Sequence, residues 1–80
     1  MPNVTIHDNG AAYMIMVDGI IAHYETSLGN AWRHIIWMYR IASQRFTVGK
    51  DKIPVLEWIE KMYNAGYLND KDTANMFKYR

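Results

Sequence analysis

Apolar and polar residues alternate along the first third of the chain, in three short segments separated by turn-forming dipeptides. The segments are residues 4–8, 11–17 and 20–25, and the dipeptides are Asn9-Gly10 and Asp18-Gly19. Both dipeptides favour the type I′ turn, whose two central residues need positive φ. A period of two is typical of strands with one buried face. The pattern therefore predicts a three-stranded antiparallel meander over about residues 3–25.

Two-residue turns would also fix the register of this meander, and with it the side chains that share each face. This register places Ile15 opposite Ala22 across the second turn and opposite Val4 across the first. One face is then strongly apolar. The other face carries the following residues: Thr5, His7, Ala12, Met14, Met16, Ile21, His23 and Glu25.

A longer apolar pattern follows, with steps of four and three that indicate one stripe along a helix. The stripe consists of Leu28, Trp32, Ile35, Tyr39, Ala42 and Phe46. Because Thr26-Ser27 offers an N-cap, we predict a long helix over about residues 27–45. At roughly 100° per residue, Trp37 lies opposite the centre of the stripe. Its neighbours on this outer face are Arg33, Arg40 and Gln44.

Two shorter helices are predicted in the last third of the chain, over about residues 54–65 and 70–78. Pro54 suits the first turn of one helix and Gly66 its end, while Asn69 or Asp70 would cap the other. Residues 47–51 are expected to form a loop. The whole pattern predicts one α+β domain over residues 1–80, in which the meander packs on the long helix.

Composition favours a folded domain that associates with itself or with another protein. Half of the residues are hydrophobic, which is more apolar surface than we expect so small a core to bury. There is no cysteine, which excludes disulfides and thiolate metal sites and favours a cytoplasmic location. No apolar run approaches the roughly 20 residues of a membrane span, so no membrane partner is expected.

The sequence offers little for catalysis. Its three histidines, His7, His23 and His34, lack the spacings of common zinc sites. His7 and His23 are expected on the same sheet face, about 10 Å apart, which is too far to share a metal. Neither Ser27 nor Ser43 stands in a nucleophile-elbow motif. We therefore expect no catalytic residue, no metal and no cofactor, and a protein that is not an enzyme.

The outer face of the long helix is the first candidate for partner binding. An indole between two guanidinium groups is typical of the side chains that dominate interfaces. The residues concerned are Arg33, Trp37, Arg40 and Gln44. The alternative is that the helix over residues 54–65 packs on this face and buries Trp37.

The second face of the meander is the other candidate. Met14, Met16 and Ile21 form an apolar island with His23 at its edge, and methionine-rich surfaces adapt readily to partners. The alternative is that the C-terminal helices cover this face and complete a three-layer core.

Part of the chain resembles known families. Residues 56–77, with Ala65-Gly66-Tyr67-Leu68 between two helices, resemble the short bihelical C-terminal domain known as SHOCT. The acidic-aromatic-lysine core of that domain's second helix is absent here. The hairpin-then-helix order at the start is similar to antitoxin domains of the HicB type, without their sequence signature.

We expect a small protein-binding module that binds another protein, or itself as a homo-oligomer, and acts by occluding or bridging its partner. Small cysteine-free, aromatic-rich chains are frequent among phage and mobile-element inhibitors, so a viral inhibitor is the specific form of this hypothesis. The alternative is a nucleic-acid-binding or transcription-regulating protein. Residues 33–80 hold all nine Lys and Arg, which would give the C-terminal helices a basic surface, although the net charge is only +1.

Overall fold

The computed structural model describes residues 1–79, which form one mixed sheet and two helices. The elements are β1 (Asn3–Asp8), β2 (Tyr13–Val17), β3 (Ile20–Glu25), α1 (Leu28–Arg40), β4 (Thr47–Val48), β5 (Ile53–Pro54) and α2 (Val55–Asn64). The strand order is β3-β2-β1-β4-β5, with β1 and β4 parallel and the other neighbours antiparallel. The predicted α+β class is confirmed, but β4 and β5 were not predicted. Within residues 1–79, no helix is long and apolar enough to cross a membrane.

The first hairpin has a longer loop than Asn9-Gly10 alone predicts. The Asn9 side chain accepts hydrogen bonds from the backbone N–H groups of Ala11 and Ala12, at 2.9 and 2.8 Å, which widens the connection to residues 9–12. As a result, Ile15 lies opposite Ile6 rather than Val4. The shift is two residues, so the same side chains still share each face of these two strands.

The second hairpin has the predicted turn, followed by a β-bulge that was not predicted. Asp18 and Gly19 both have positive φ, as a type I′ turn requires. Met16 of β2 pairs with Ile21 of β3, whereas the neighbouring Ile15 pairs with His23. Strand β3 therefore carries one extra residue, Ala22. A one-residue shift moves side chains to the opposite face. The predicted placement of His23 and Glu25 beside Met14 was therefore wrong, and both lie on the helix side of the sheet.

Helix α1 begins where predicted and ends five residues early. The Ser27 Oγ accepts a hydrogen bond from the Asn30 backbone N–H at 3.1 Å, which caps the first turn. At the other end Ser43 has a φ of 56°, and the Gln44 N–H reaches back to the carbonyl of Met38. The early end lets residues 46–48 turn back to the sheet, where Phe46 is buried.

Residues 47–54 contain two short strands, β4 and β5, where a loop was predicted over residues 47–51. Val48 pairs in parallel with Val4, and the Gly49 N–H donates to the Val4 carbonyl at 2.8 Å. A tight turn with positive φ at Gly49 and Lys52 then leads into β5. The chain thereby extends the sheet beyond β1 and delivers α2 to the same face as α1.

The predicted helix over residues 70–78 does not form. Asn69 and Asp72 do cap each other, since each side chain accepts from the other's backbone N–H, at 2.8 and 3.1 Å. However, Ala74 and Asn75 have φ of 51° and 61°, which stops the helix after one turn. The segment is a series of turns whose Phe77 packs into the core.

One hydrophobic core lies between the sheet and the two helices. Helix α1 contacts β2 and β3, helix α2 contacts β4 and β5, and the helices contact each other. The core consists of Val4, Ile15, Ala31, Ile35, Ile36, Met38, Phe46, Val48, Val55, Ile59, Leu68 and Phe77. This is a two-layer arrangement, and the three-layer alternative considered from the sequence is wrong because both helices lie on one side of the sheet.

A candidate binding groove beside Trp37

A groove of about 560 Å³ opens between α1, the bulged end of the sheet and the segment that follows α1. Its walls are Pro2, Val4, Val17, Ala22, His23, His34, Trp37, Met38, Gln44, Arg45 and Phe46. The lining combines an apolar floor with two imidazoles, an indole and a guanidinium. Cavities of this size and composition are typical of ligand and peptide sites.

Trp37 forms one wall of the groove and is not covered by α2. Its side chain is 49% exposed, whereas Ile36 beside it in the sequence is buried. The alternative in which α2 packs on this face and buries Trp37 was therefore wrong. The indole is nonetheless held in place, because its ring stacks on His34 with centroids 5.4 Å apart and planes 23° apart.

A cluster of His23, Glu25 and His34 forms the wall next to Trp37. The two imidazole rings stack at 3.8 Å with an interplanar angle of 5°. The His23 Nε2 lies 2.5 Å from a carboxylate oxygen of Glu25. Residues 23 and 25 share one side of β3, and His34 faces them from α1. The cluster therefore links the sheet edge to the helix at the mouth of the groove.

The cluster also sets the charge of this wall. Burial lowers the pKa of His34 below its ordinary value of 6.5, and the adjacent His23 lowers it further, while Glu25 acts in the opposite direction. Two positive charges on the stacked rings would repel, and the lowered pKa of His34 disfavours that arrangement.

Cationic side chains border the groove, although not in the predicted arrangement. Arg45 lines the groove, and its guanidinium lies over the Tyr39 ring at 4.8 Å. Arg40 is exposed one turn beyond Trp37. Arg33 instead turns toward the C-terminal segment, where its guanidinium lies 3.6 Å from an Asp72 carboxylate oxygen. Of the two arginines predicted around Trp37, Arg33 is thus engaged by Asp72, while Arg45, which was not predicted, lines the groove.

The second face of the sheet is a separate surface on the other side of the molecule. Met14, Met16 and Ile21 share this face, as predicted, and none of them is buried. Tyr24 joins them because of the bulge, and it is exposed. The face is therefore open, since both helices pack on the opposite side.

The sequence-predicted binding residues divide between these two surfaces. Trp37, Gln44 and His23 meet at the groove, whereas Met14, Met16 and Ile21 lie on the open face. His34 was missed as a partner of His23, because the predicted register pointed His23 away from α1, and Glu25 was predicted on the same face as His23 but not as its partner. The alternation His23-x-Glu25 in a strand was the available signal for two polar groups on one face.

The alternative nucleic-acid function depended on a pair of C-terminal helices, and residues 70–79 are not helical. Lys71 and Lys78 lie on separate turns of this segment, and the Lys78 ammonium sits 5.5 Å from the Tyr79 ring. The bihelical arrangement implied by the resemblance to SHOCT is absent for the same reason. No family model, no curated protein and no solved structure matches the chain.

Proposed function

We propose that this protein is a non-enzymatic protein-binding module that docks a partner along the groove beside Trp37. One observation carries the proposal: the indole is half exposed, yet His34 fixes its orientation by stacking. A pre-oriented aromatic side chain binds at a low cost in conformational entropy. Indole and guanidinium groups are also the side chains that most often supply the binding energy of interfaces.

The groove also defines the chemistry of the partner. Val17, Ala22 and Phe46 give the groove an apolar lining, which suits a branched or aromatic side chain of the partner. Arg45 lines the groove and Arg40 is exposed one turn along α1 from Trp37, and both favour carboxylates beside that side chain. The expected partner is therefore a protein segment with an apolar anchor flanked by Asp or Glu. Binding would act by occluding the partner's own surface.

Selection from a library of random displayed peptides tests this proposal directly. The peptides are selected on the wild-type protein and counter-selected on Trp37→Ala. We expect enriched peptides with an apolar anchor next to acidic residues, and amide shift changes at the groove in the protein's NMR spectrum. Peptides without this pattern, or peptides that bind Trp37→Ala equally well, would refute the proposal.

A matched control separates specific docking from general stickiness. Leu56 on α2 is 45% exposed, close to the 49% of Trp37, and it lies outside the groove. Leu56→Ala should leave peptide affinity unchanged. Equal losses in Leu56→Ala and Trp37→Ala would mean that the peptides recognise exposed apolar surface in general.

We further propose that the open sheet face mediates self-association. Among its strand residues from Thr5 to Tyr24, no side chain is Asp, Glu, Lys or Arg, so two copies can meet about a twofold axis without like-charge repulsion. The partly exposed Met14 and Met16 and the exposed Ile21 supply the apolar area. The groove lies on the opposite side of the sheet, so a dimer would leave it accessible.

Light scattering tests this second surface. We expect a mass near twice 9.4 kDa at micromolar concentration. Met16→Lys, at the middle of the face, should restore the monomer, whereas Ile20→Lys, at the turn and off this face, should not. A mass of 9.4 kDa for the wild type would exclude the dimer.

A further inference from the structure

We propose that His23, Glu25 and His34 bind a divalent transition-metal ion, such as Zn²⁺ or Co²⁺, at the wall of the groove. The three side chains offer two imidazole nitrogens and one carboxylate oxygen, all within 4.8 Å of one another. Two of them come from the sheet edge and one from the helix, so the ion would join two elements of the fold. This site does not depend on what occupies the groove.

The donor set matches the preferences of these metals. Zn²⁺ binds imidazole nitrogen and carboxylate oxygen at about 2.0–2.2 Å, and sites with two histidines and one carboxylate leave a coordination position open. This position would face the groove, which His23 and His34 both line. The site would therefore accept water or a partner's donor atom as its fourth ligand.

The three donor atoms lie within 4.8 Å of one another, so side-chain movements could bring them to the spacing of a tetrahedral site. Ligand atoms around one Zn²⁺ lie about 3.4 Å apart, as follows from metal–ligand bonds of about 2.1 Å. The His23 Nε2 and a Glu25 oxygen are 2.5 Å apart, within hydrogen-bond distance. Metal binding would separate the two atoms slightly. The two imidazole planes are nearly parallel, so their in-plane nitrogen lone pairs do not meet at one point, and metal binding would require at least one ring to rotate out of the stack.

The surroundings leave room for a cation. Arg45 lines the same groove, and its guanidinium lies over the Tyr39 ring. The Arg33 guanidinium is directed to Asp72 instead. The carboxylate of Glu25 would balance part of the ion's charge, while Arg45 and Arg33 are engaged by Tyr39 and Asp72.

Titration of tag-free protein with Zn²⁺ in a calorimeter tests the proposal. We expect one ion per chain, and no heat with Mg²⁺, which prefers an all-oxygen set. Co²⁺ should give visible absorption bands and should broaden the NMR signals of His23 and His34, while His7 on the other sheet face stays sharp. Absence of Zn²⁺ heat, or broadening that centres on His7, would overturn the assignment.

Variants identify the ligands. Loss of an outer-sphere partner already costs roughly tenfold in affinity, so His34→Ala and Glu25→Gln should each weaken Zn²⁺ binding by more than about tenfold. Glu25→Gln keeps the side-chain shape, so it reports on the ligand even if His34→Ala perturbs folding. His7→Ala is the matched control and should bind like the wild type. Affinity that persists in Glu25→Gln and His34→Ala would refute the site.

Discussion

The two sides of α1 differ in what they contribute to the molecule. On the side that faces the sheet and α2, Ala31 and Ile35 are fully buried. On the other side, Trp37 and Ile41 are half exposed or more, and Trp37 lines the groove. The first side is fixed by packing within the chain. The second side carries large apolar side chains that the chain itself does not cover, which is the usual mark of a binding surface.

This difference shows that a hydrophobic residue on a helix need not belong to the core. Trp37 is a large side chain on the groove side of α1, and it stacks on the ring of His34 rather than on another apolar residue. If the two sides have different roles, they should respond differently to substitution. The expected loss in free energy of unfolding is several kcal/mol on the buried side and small for exposed side chains outside the groove.

The largest effect is expected on the buried side. Ile35 has no exposed surface, and truncation to alanine would leave a cavity. We expect Ile35→Ala to lower the free energy of unfolding by about 2–5 kcal/mol. Urea denaturation followed by circular dichroism measures this value. A loss below about 1 kcal/mol would mean that this side is not the core of the fold.

A smaller effect is expected from removing the bulge. Deletion of Ala22 would restore regular pairing of β2 and β3, and His23 would remain opposite Ile15. We expect a stability change of about 1 kcal/mol, with the contact between the His23 and His34 rings retained. Denaturation and NOE measurements on the deletion variant check both points.

The same deletion distinguishes the observed register from the one predicted from the sequence. Without a bulge, Ala22 and Tyr24 would be core residues, and the deletion would put His23 and Glu25 in their place. That outcome would cost several kcal/mol through burial of polar groups. A large loss of stability would therefore contradict the bulge.

The smallest effect is expected on exposed apolar side chains outside the groove. Leu56→Ala should change the free energy of unfolding by less than about 1 kcal/mol, because Leu56 is 45% exposed and lies outside the buried core. Thermal denaturation beside the wild type measures this difference. A loss comparable to that of Ile35→Ala would show that α2 packs differently from the arrangement described.

Elements governed by local signals could be predicted from the sequence. Asp18-Gly19 formed the predicted type I′ turn, and Ser27 capped α1 where its position indicated. The period of four and three located α1. The stripe itself was less accurate, because Trp32 and Tyr39 are only partly buried whereas Met38, outside the stripe, is buried.

Features that depend on distant contacts could not be predicted. Strand β4 exists because residues 47–48 pair with β1, some 44 residues earlier in the chain, which no local pattern reveals. The bulge at Ala22 decides which face His23 occupies, and a small residue in a strand carries no distinctive signal for it. Because the bulge was not predicted, His23 was placed on the face away from α1. The cluster of His23, Glu25 and His34 was therefore not predicted.

The central claim is that the groove side of α1 binds a partner while the opposite side maintains the fold. The most direct measurement takes one variant, Trp37→Ala, and determines both its free energy of unfolding and its affinity for a selected peptide. We predict a stability loss of about 1 kcal/mol or less, together with an affinity loss of about 2 kcal/mol or more, roughly 30-fold. A stability loss of about 3–5 kcal/mol, typical of an emptied aromatic core site, or an unchanged affinity would contradict the account.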